Sequence, residues 1–177
     1  LQDLSQTQSA ARELAGLSGG LTSVVGQFRL PAAQIIEHRL DATGGLAFEV
    51  PGVVSVSVLP RCNAVVTKWL RYDDYAVKPA LGKQLELIEQ YDLTTVIVDS
   101  QEAIGAYSEE MTEWIGGEFI GKMLRTRVRS LITVVPKSAL ANISNQGWQS
   151  GGDDAGFRMI EVGSMAEAEQ LCRVPVG

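Results

Sequence analysis

From residue 53 onward, short β-rich runs alternate with runs of helical periodicity, and this alternation constrains the fold more than any other feature of the chain. Residues 53–59 alternate valine with serine, which makes one strand face apolar. Pro60-Arg61-Cys62-Asn63 reads as a turn, so the β-rich run 64–70 should return antiparallel to the first strand. Residues 94–98 and 131–135 are short, mostly apolar runs of the kind buried on both sheet faces. Between them, Leu81, Leu85 and Ile88, then Met111, Trp114, Ile115, Ile120 and Met123, recur at helical spacing. Strands separated by helical crossovers pair in parallel. A last strand at 157–162 and a final helix at 165–171 complete an expected order of β-β-α-β-α-β-α-β-α. The expected fold class is α/β, a mixed sheet with helices packed on it.

Helix starts are marked by short polar side chains. Asp73 and Asp74 can cap the first helix, which places Pro79 near its first turn. Ser108 is followed by Glu109 and Glu110, which suit a helix N-terminus. Ser138 caps a short helix running through Leu140 and Ile143, and Ser164 caps the last one. Gly116-Gly117 falls inside a helical pattern, where it would permit close packing. The stretch 147–156, with Gly151-Gly152-Asp153-Asp154, is rich in turn formers.

The N-terminal end follows a different rule. Leu14, Leu17, Leu21, Val24 and Phe28 are spaced 3, 4, 3 and 4, the seam of a coiled coil. Gly16, Gly19 and Gly20 weaken such a helix by about 1 kcal/mol each relative to alanine, so it needs partners to stand. Pro31 ends it. The expected organisation is a coiled-coil signalling helix at 1–30, a linker at 31–51 with an extra strand near 46–50, and an α/β domain at 52–177. The chain starts at Leu1 without methionine and is expected to be a piece of a longer protein.

Of the 177 residues, 45% are apolar and 20% charged, which suits a packed domain and argues against disorder. A formal net charge of −6 gives no long-range attraction for nucleic acid or anionic lipid. Lys122, Arg125, Arg127 and Arg129 are the local exception, and their place near a helix C-terminus suits its dipole. No apolar run is long enough to span a membrane. Cys62 and Cys172 are far apart and fit no metal or redox spacing, so the expectation is reduced thiols in a cytoplasmic setting. One histidine, His38, leaves no basis for a zinc site or a Ser-His-Asp triad, and no metal or cofactor is expected.

Two family resemblances emerge from these patterns. Ala10-Ala11-Arg12-Glu13-Leu14-Ala15, then Leu17, Leu21, Val24-Val25-Gly26 and Gln27-Phe28-Arg29-Leu30, resemble the C-terminal end of a bacterial methyl-accepting chemotaxis receptor. That likeness implies a dimeric cytoplasmic helical bundle controlling a kinase, and hence a homo-oligomer formed through the N-terminal helix. From about residue 52, the order of elements is similar to the STAS family, named for sulfate transporters and anti-sigma-factor antagonists. The local likenesses are Val65-Val66-Thr67-Lys68-Trp69, Thr95-Val96-Ile97-Val98-Asp99, Glu113-Trp114, and Val134-Val135-Pro136-Lys137-Ser138. In anti-sigma-factor antagonists a strand ending in Asp leads to a serine that is phosphorylated to switch partner binding. By that resemblance Asp99, Ser100 and Ser108 are the switch candidates here, although Ala106-Tyr107-Ser108-Glu109 replaces the family's Asp-Ser-Ser-Gly signature.

Together these likenesses imply a non-enzymatic regulatory or interaction domain at the cytoplasmic end of an inner-membrane receptor, with a signalling protein or the receptor bundle as partner. The alternative is an apolar or lipid-binding site of Sec14-like type lined by Trp69, Trp114, Phe119 and Trp148. For an enzyme, there is neither a phosphate-cradling loop with a Lys-Ser or Lys-Thr pair nor a Gly-x-Ser-x-Gly elbow.

Overall fold

In the computed structural model, which describes residues 34–149 and 156–173 (147–149 by backbone alone), seven strands form one mixed sheet. They are β1 (Ile36–Glu37), β2 (Gly45–Val50), β3 (Val54–Leu59), β4 (Ala64–Trp69), β6 (Thr95–Asp99), β8 (Ser130–Val134) and β9 (Arg158–Val162). Their order across the sheet is β9-β8-β6-β4-β3-β2-β1. The first four pair antiparallel through short turns. The pairs β4–β6, β6–β8 and β8–β9 are parallel, as helical crossovers require. Two short strands outside this sheet, β5 (Arg71–Tyr72) and β7 (Ile104–Gly105), pair in parallel with each other.

The described helices are α1 (Asp74–Tyr91), α2 (Glu109–Trp114), α3 (Ile120–Met123), α4 (Ala139–Gln149) and α5 (Met165–Arg173). A π-helical turn, Ile115–Phe119, joins α2 to α3 without a break. Strand alternation sorts side chains between two cores. Val54, Val56 and Val58 of β3, Val65 and Trp69 of β4, and Val96 and Val98 of β6 face the larger one. There they meet Val77, Leu81 and Ile88 of α1 and Ile115, Phe119 and Met123 of the α2–α3 segment. Ala64, Ile97, Ile132 and Val134 face the opposite side, where Ala168, Met165 and Cys172 of α5 cover them.

Several expectations change. The stretch 31–51 is not only a linker: the α/β unit begins at Ile35, and β2 buries Ala47, Phe48 and Val50 in the larger core. With β1 and β2 ahead of it and β5 and β7 inserted, the order of elements is longer than expected. The extra strand expected near 46–50 is β2, whose register is shifted by a bulge between Leu46 and Phe48. Gly44 is needed for close approach, since its φ is +80° and a Cβ there would lie 2.6 Å from the Pro60 ring. Pro79 stands in the second turn of α1, not the first, because the helix opens at Asp74. Asp73 makes no side-chain cap; it accepts from Arg71 Nε at 3.2 Å, while Asp74 Oδ1 accepts from the Ser108 backbone N–H at 3.1 Å.

The cysteines are also corrected. Cys62 lies in the short 3-10 turn Pro60–Cys62, and Cys172 lies in α5; the two form a disulfide with a Cα–Cα distance of 5.1 Å. Sequence separation hides this pairing because only the packing of α5 against the sheet brings the two turns of chain together. The same junction carries an ion pair between Arg61 and Glu169, whose carboxylate also meets Arg173. Among the described residues, no helix is long and apolar enough to cross a membrane, and no group of acidic, histidine or cysteine side chains could hold a metal ion. The expected coiled-coil helix at 1–30 lies outside the described residues, as do Gly151 to Asp154.

Candidate functional site

Between the larger sheet face and its helices lies a small cavity whose lining is aromatic and aliphatic, with two side-chain amides. Trp69, Val98 and Leu131 form its floor from three adjacent strands. Tyr72 and Tyr107 close one end, and Ile115, Phe119 and Met123 form the roof. The amides belong to Gln84 of α1 and Asn145 of α4.

The aromatic end is built tightly. Trp69 meets the Tyr72 ring at 5.9 Å and the Tyr107 ring at 5.7 Å, both edge-to-face, while the two tyrosines stack at 4.4 Å. The loop carrying Tyr107 is tied to α4 because its backbone N–H donates to Ser144 Oγ at 2.9 Å. Burial pushes the Tyr72 phenol up to about 12, and the neighbouring Ser100 hydroxyl pulls it part of the way back. Burial also holds the Tyr107 phenol well above its ordinary range, helped by Tyr72 and Asp74. Both phenols are therefore neutral at ordinary pH.

This has a measurable consequence. An unfolded Tyr72 ionises near 10.0 and the folded one near 12, so the unfolded state gains stability from deprotonation first. The folded advantage is whole below pH 10 and shrinks as pH rises from 10 to 12, by on the order of 2–3 kcal/mol. Urea midpoints measured across that window should fall, and the fall should be shallower in Tyr72→Phe. An equal slope in the variant would remove Tyr72 as the cause.

The polar side of the cavity is less complete. Thr67 Oγ1 donates to Gln84 Oε1 at 2.6 Å, and among the described residues Gln84 Nε2 donates only to the weakly accepting Met123 sulfur at 3.7 Å. Asn145 is fully buried, and among the described residues neither its Nδ2 nor its Oδ1 has a hydrogen-bond partner. A dry, unpaired amide costs about 1–3 kcal/mol per group. The helix that presents it is inverted: α4 buries Ala141, Ser144 and Asn145 and leaves Leu140 56% and Ile143 66% exposed.

The sequence-read site residues are dispersed. Trp69 and Phe119 line the cavity. Trp114 does not; it lies on the outer side, stacked on Phe119 at 6.2 Å with Lys78 Nζ 5.1 Å from its ring. The Trp148 side chain lies outside the described residues. Ser108 caps α2, its Oγ accepting from the Met111 N–H at 3.1 Å. Asp99 is buried at the end of β6 and accepts from the Gln101 N–H at 3.2 Å. Ser100 is fully buried. Sequence reasoning missed Tyr72, Tyr107, Gln84 and Asn145. Only Asn145 carried a signal, as a polar residue one position after Ser144 in a helix that also holds Leu140, Ile143 and Trp148.

The cavity volume is about 30 Å³. That is room for water-sized occupants and far below the ~150 Å³ that admits a benzene ring. A lipid chain does not fit without movement of the roof. Comparison of the chain with protein-family models, with curated proteins and with solved structures finds no match. The fold is that of an α/β domain with a mixed seven-stranded sheet and helices packed on it.

Proposed function

We propose that the α/β domain is a non-catalytic regulatory module that senses a small molecule in the cavity under the α2–α3 segment. The observation that carries this reading is the fully buried Asn145 amide, unpaired among the described residues, on the wall of an otherwise apolar cavity. Natural cores pair nearly all buried polar groups, and an exception calls for a role. The module would serve a bacterial signalling receptor of chemotaxis type, with the coiled-coil seam as the link to its kinase-controlling bundle and dimer. This context rests on the sequence resemblance. Reading the frame upstream of Leu1 tests it: a long heptad hairpin supports it, and a start codon a few residues upstream sinks it.

The sensing role is tested by screening small neutral fragments against the full chain by protein NMR. Hits should cluster on the Trp69 indole and Asn145 amide signals. Asn145→Leu should bind none of them while melting at a higher temperature, since it removes an unpaired amide worth about 1–3 kcal/mol. Hits spread over the surface, with the variant binding as well as the parent, would remove the cavity as a sensor.

A second reading is docking of a protein partner, the receptor bundle included. Leu140 and Ile143 are exposed on α4, which packs beside β7 with exposed Ile104, whose N–H in turn donates to the Leu70 carbonyl at 3.2 Å. Ile143→Glu should abolish such docking and leave the fold intact.

A further inference from the structure

We infer that the segment from α2 through the π-helical turn to α3 is a hinged lid, and that the cavity beneath it takes a neutral ring bearing a carboxamide or lactam edge. This inference rests on the small-molecule reading and names its ligand class.

The lining supplies the chemistry. Each of its side chains is uncharged: Trp, Tyr, Phe, Leu, Ile, Val, Met, Gln and Asn. A charged ligand would lose its hydration here with no counter-ion to replace it. Asn145 offers one acceptor and two donors side by side on a planar group, and none is engaged among the described residues. The complement of that edge is another amide edge, which gives one hydrogen bond in each direction. Trp69 and Phe119 then supply aromatic surface for a ring carrying that edge.

The roof supplies the access. At about 30 Å³ the cavity holds no ring, so a ring-sized ligand requires the roof to move. Two of the three roof residues, Ile115 and Phe119, belong to the π turn, where the Ile120 N–H reaches back to the Ile115 carbonyl. Such turns inside helices are frequent at functional sites. Gly117 lies within the turn and Gly121 just after it, and a Cβ on either would meet nothing within 4 Å. Packing therefore does not call for glycine at Gly117 or Gly121. What glycine adds at these positions is backbone freedom at a helix junction.

The probes are benzamide, with benzoate and cumene as charged and apolar counterparts of similar shape, titrated into the full chain by ¹H–¹⁵N NMR. The Asn145 side-chain amide signals are assigned by their loss in Asn145→Leu, with Asn145→Ser as the substitute should the leucine variant not fold. Benzamide should move those signals saturably, and benzoate and cumene should bind at least tenfold more weakly. Either Asn145 variant should lose the preference. The double variant Gly117→Ala, Gly121→Ala should slow benzamide exchange about tenfold or more. Equal binding of cumene and benzamide, unchanged in the Asn145 variants, would overturn the amide class while leaving the sensor reading standing. Unchanged exchange in the glycine variant would overturn the lid. No binding of any probe, with fragment hits still at the cavity, would overturn the ligand class alone; no binding by either route would overturn both readings.

Discussion

Reducing the Cys62–Cys172 bond is expected to remove the largest single contribution to this domain's stability. The bond closes a loop with a sequence separation of 110. Loop-closure entropy for a loop of that size corresponds to about 4–5 kcal/mol, and loss of native disulfides is observed to cost about 2–5 kcal/mol. For a domain of this size that lowers the melting temperature by roughly 5–15 °C. Urea unfolding with and without a phosphine reductant measures it, and Cys62→Ser should reproduce the reduced midpoint without reductant. The physical target is α5: apart from the bond, it is held by the Arg61–Glu169 pair and by the small core of Ile97, Ile132 and Val134. Arg61 is more than half exposed, so its ion pair contributes little. Hydrogen exchange should therefore rise first in α5 and β9. If the reduced and oxidised chains unfold at one midpoint and titrate two free thiols alike, the bond is not formed in solution. In a cytoplasmic receptor the reducing pool would hold this clasp open, and the same experiment then measures how much of the fold survives without it.

Trp69→Ala is expected to be nearly as severe. The ring is 3% exposed and contacts Tyr72 and Tyr107 edge-to-face. Truncating a buried tryptophan removes its transfer energy and leaves a cavity, at about 3–5 kcal/mol. Here the new space joins one that already exists, so the variant should gain capacity for benzene-sized guests as it loses stability. Trp69→Phe keeps an aromatic face and should lose less than half as much. Equilibrium urea unfolding of the pair checks the stability order, and benzene titration by NMR checks the enlarged cavity. A Trp69→Ala chain with the parent midpoint would show that the ring packs against nothing of consequence.

Legibility of the fold differs sharply between elements. The strands over 54–59, 95–99 and 130–134 were readable because their apolar side chains repeat with period two or form short, mostly apolar runs. The helices that open after Ser108 and Ser164 were readable because the capping serine does local work: Ser164 Oγ accepts from the Glu167 N–H at 3.2 Å. These are interactions within a few residues, and adjacent letters of the sequence encode them.

The candidate site was barely legible. Its wall comes from four strands, the loop carrying Tyr107 and four helical pieces, and no local pattern announces that Trp69, Tyr107 and Asn145 converge. Trp114 and Phe119 share a helical segment, yet Phe119 lines the cavity while Trp114 lies outside it, stacked on Phe119. In α4, packing beside the Tyr107 loop places Ser144 and Asn145 inside and Ile143 outside.

By itself, then, the sequence determined the α/β class, the parallel pairing of the later strands and the positions of the serine-capped helix starts, since each depends on short-range periodicity or a local hydrogen bond. Tertiary structure alone decided the disulfide, the inward turn of Asn145 and the enclosure of the cavity. Each of these depends on residues far apart in the chain being packed against one sheet, where burial energy summed over the whole core outweighs any local preference.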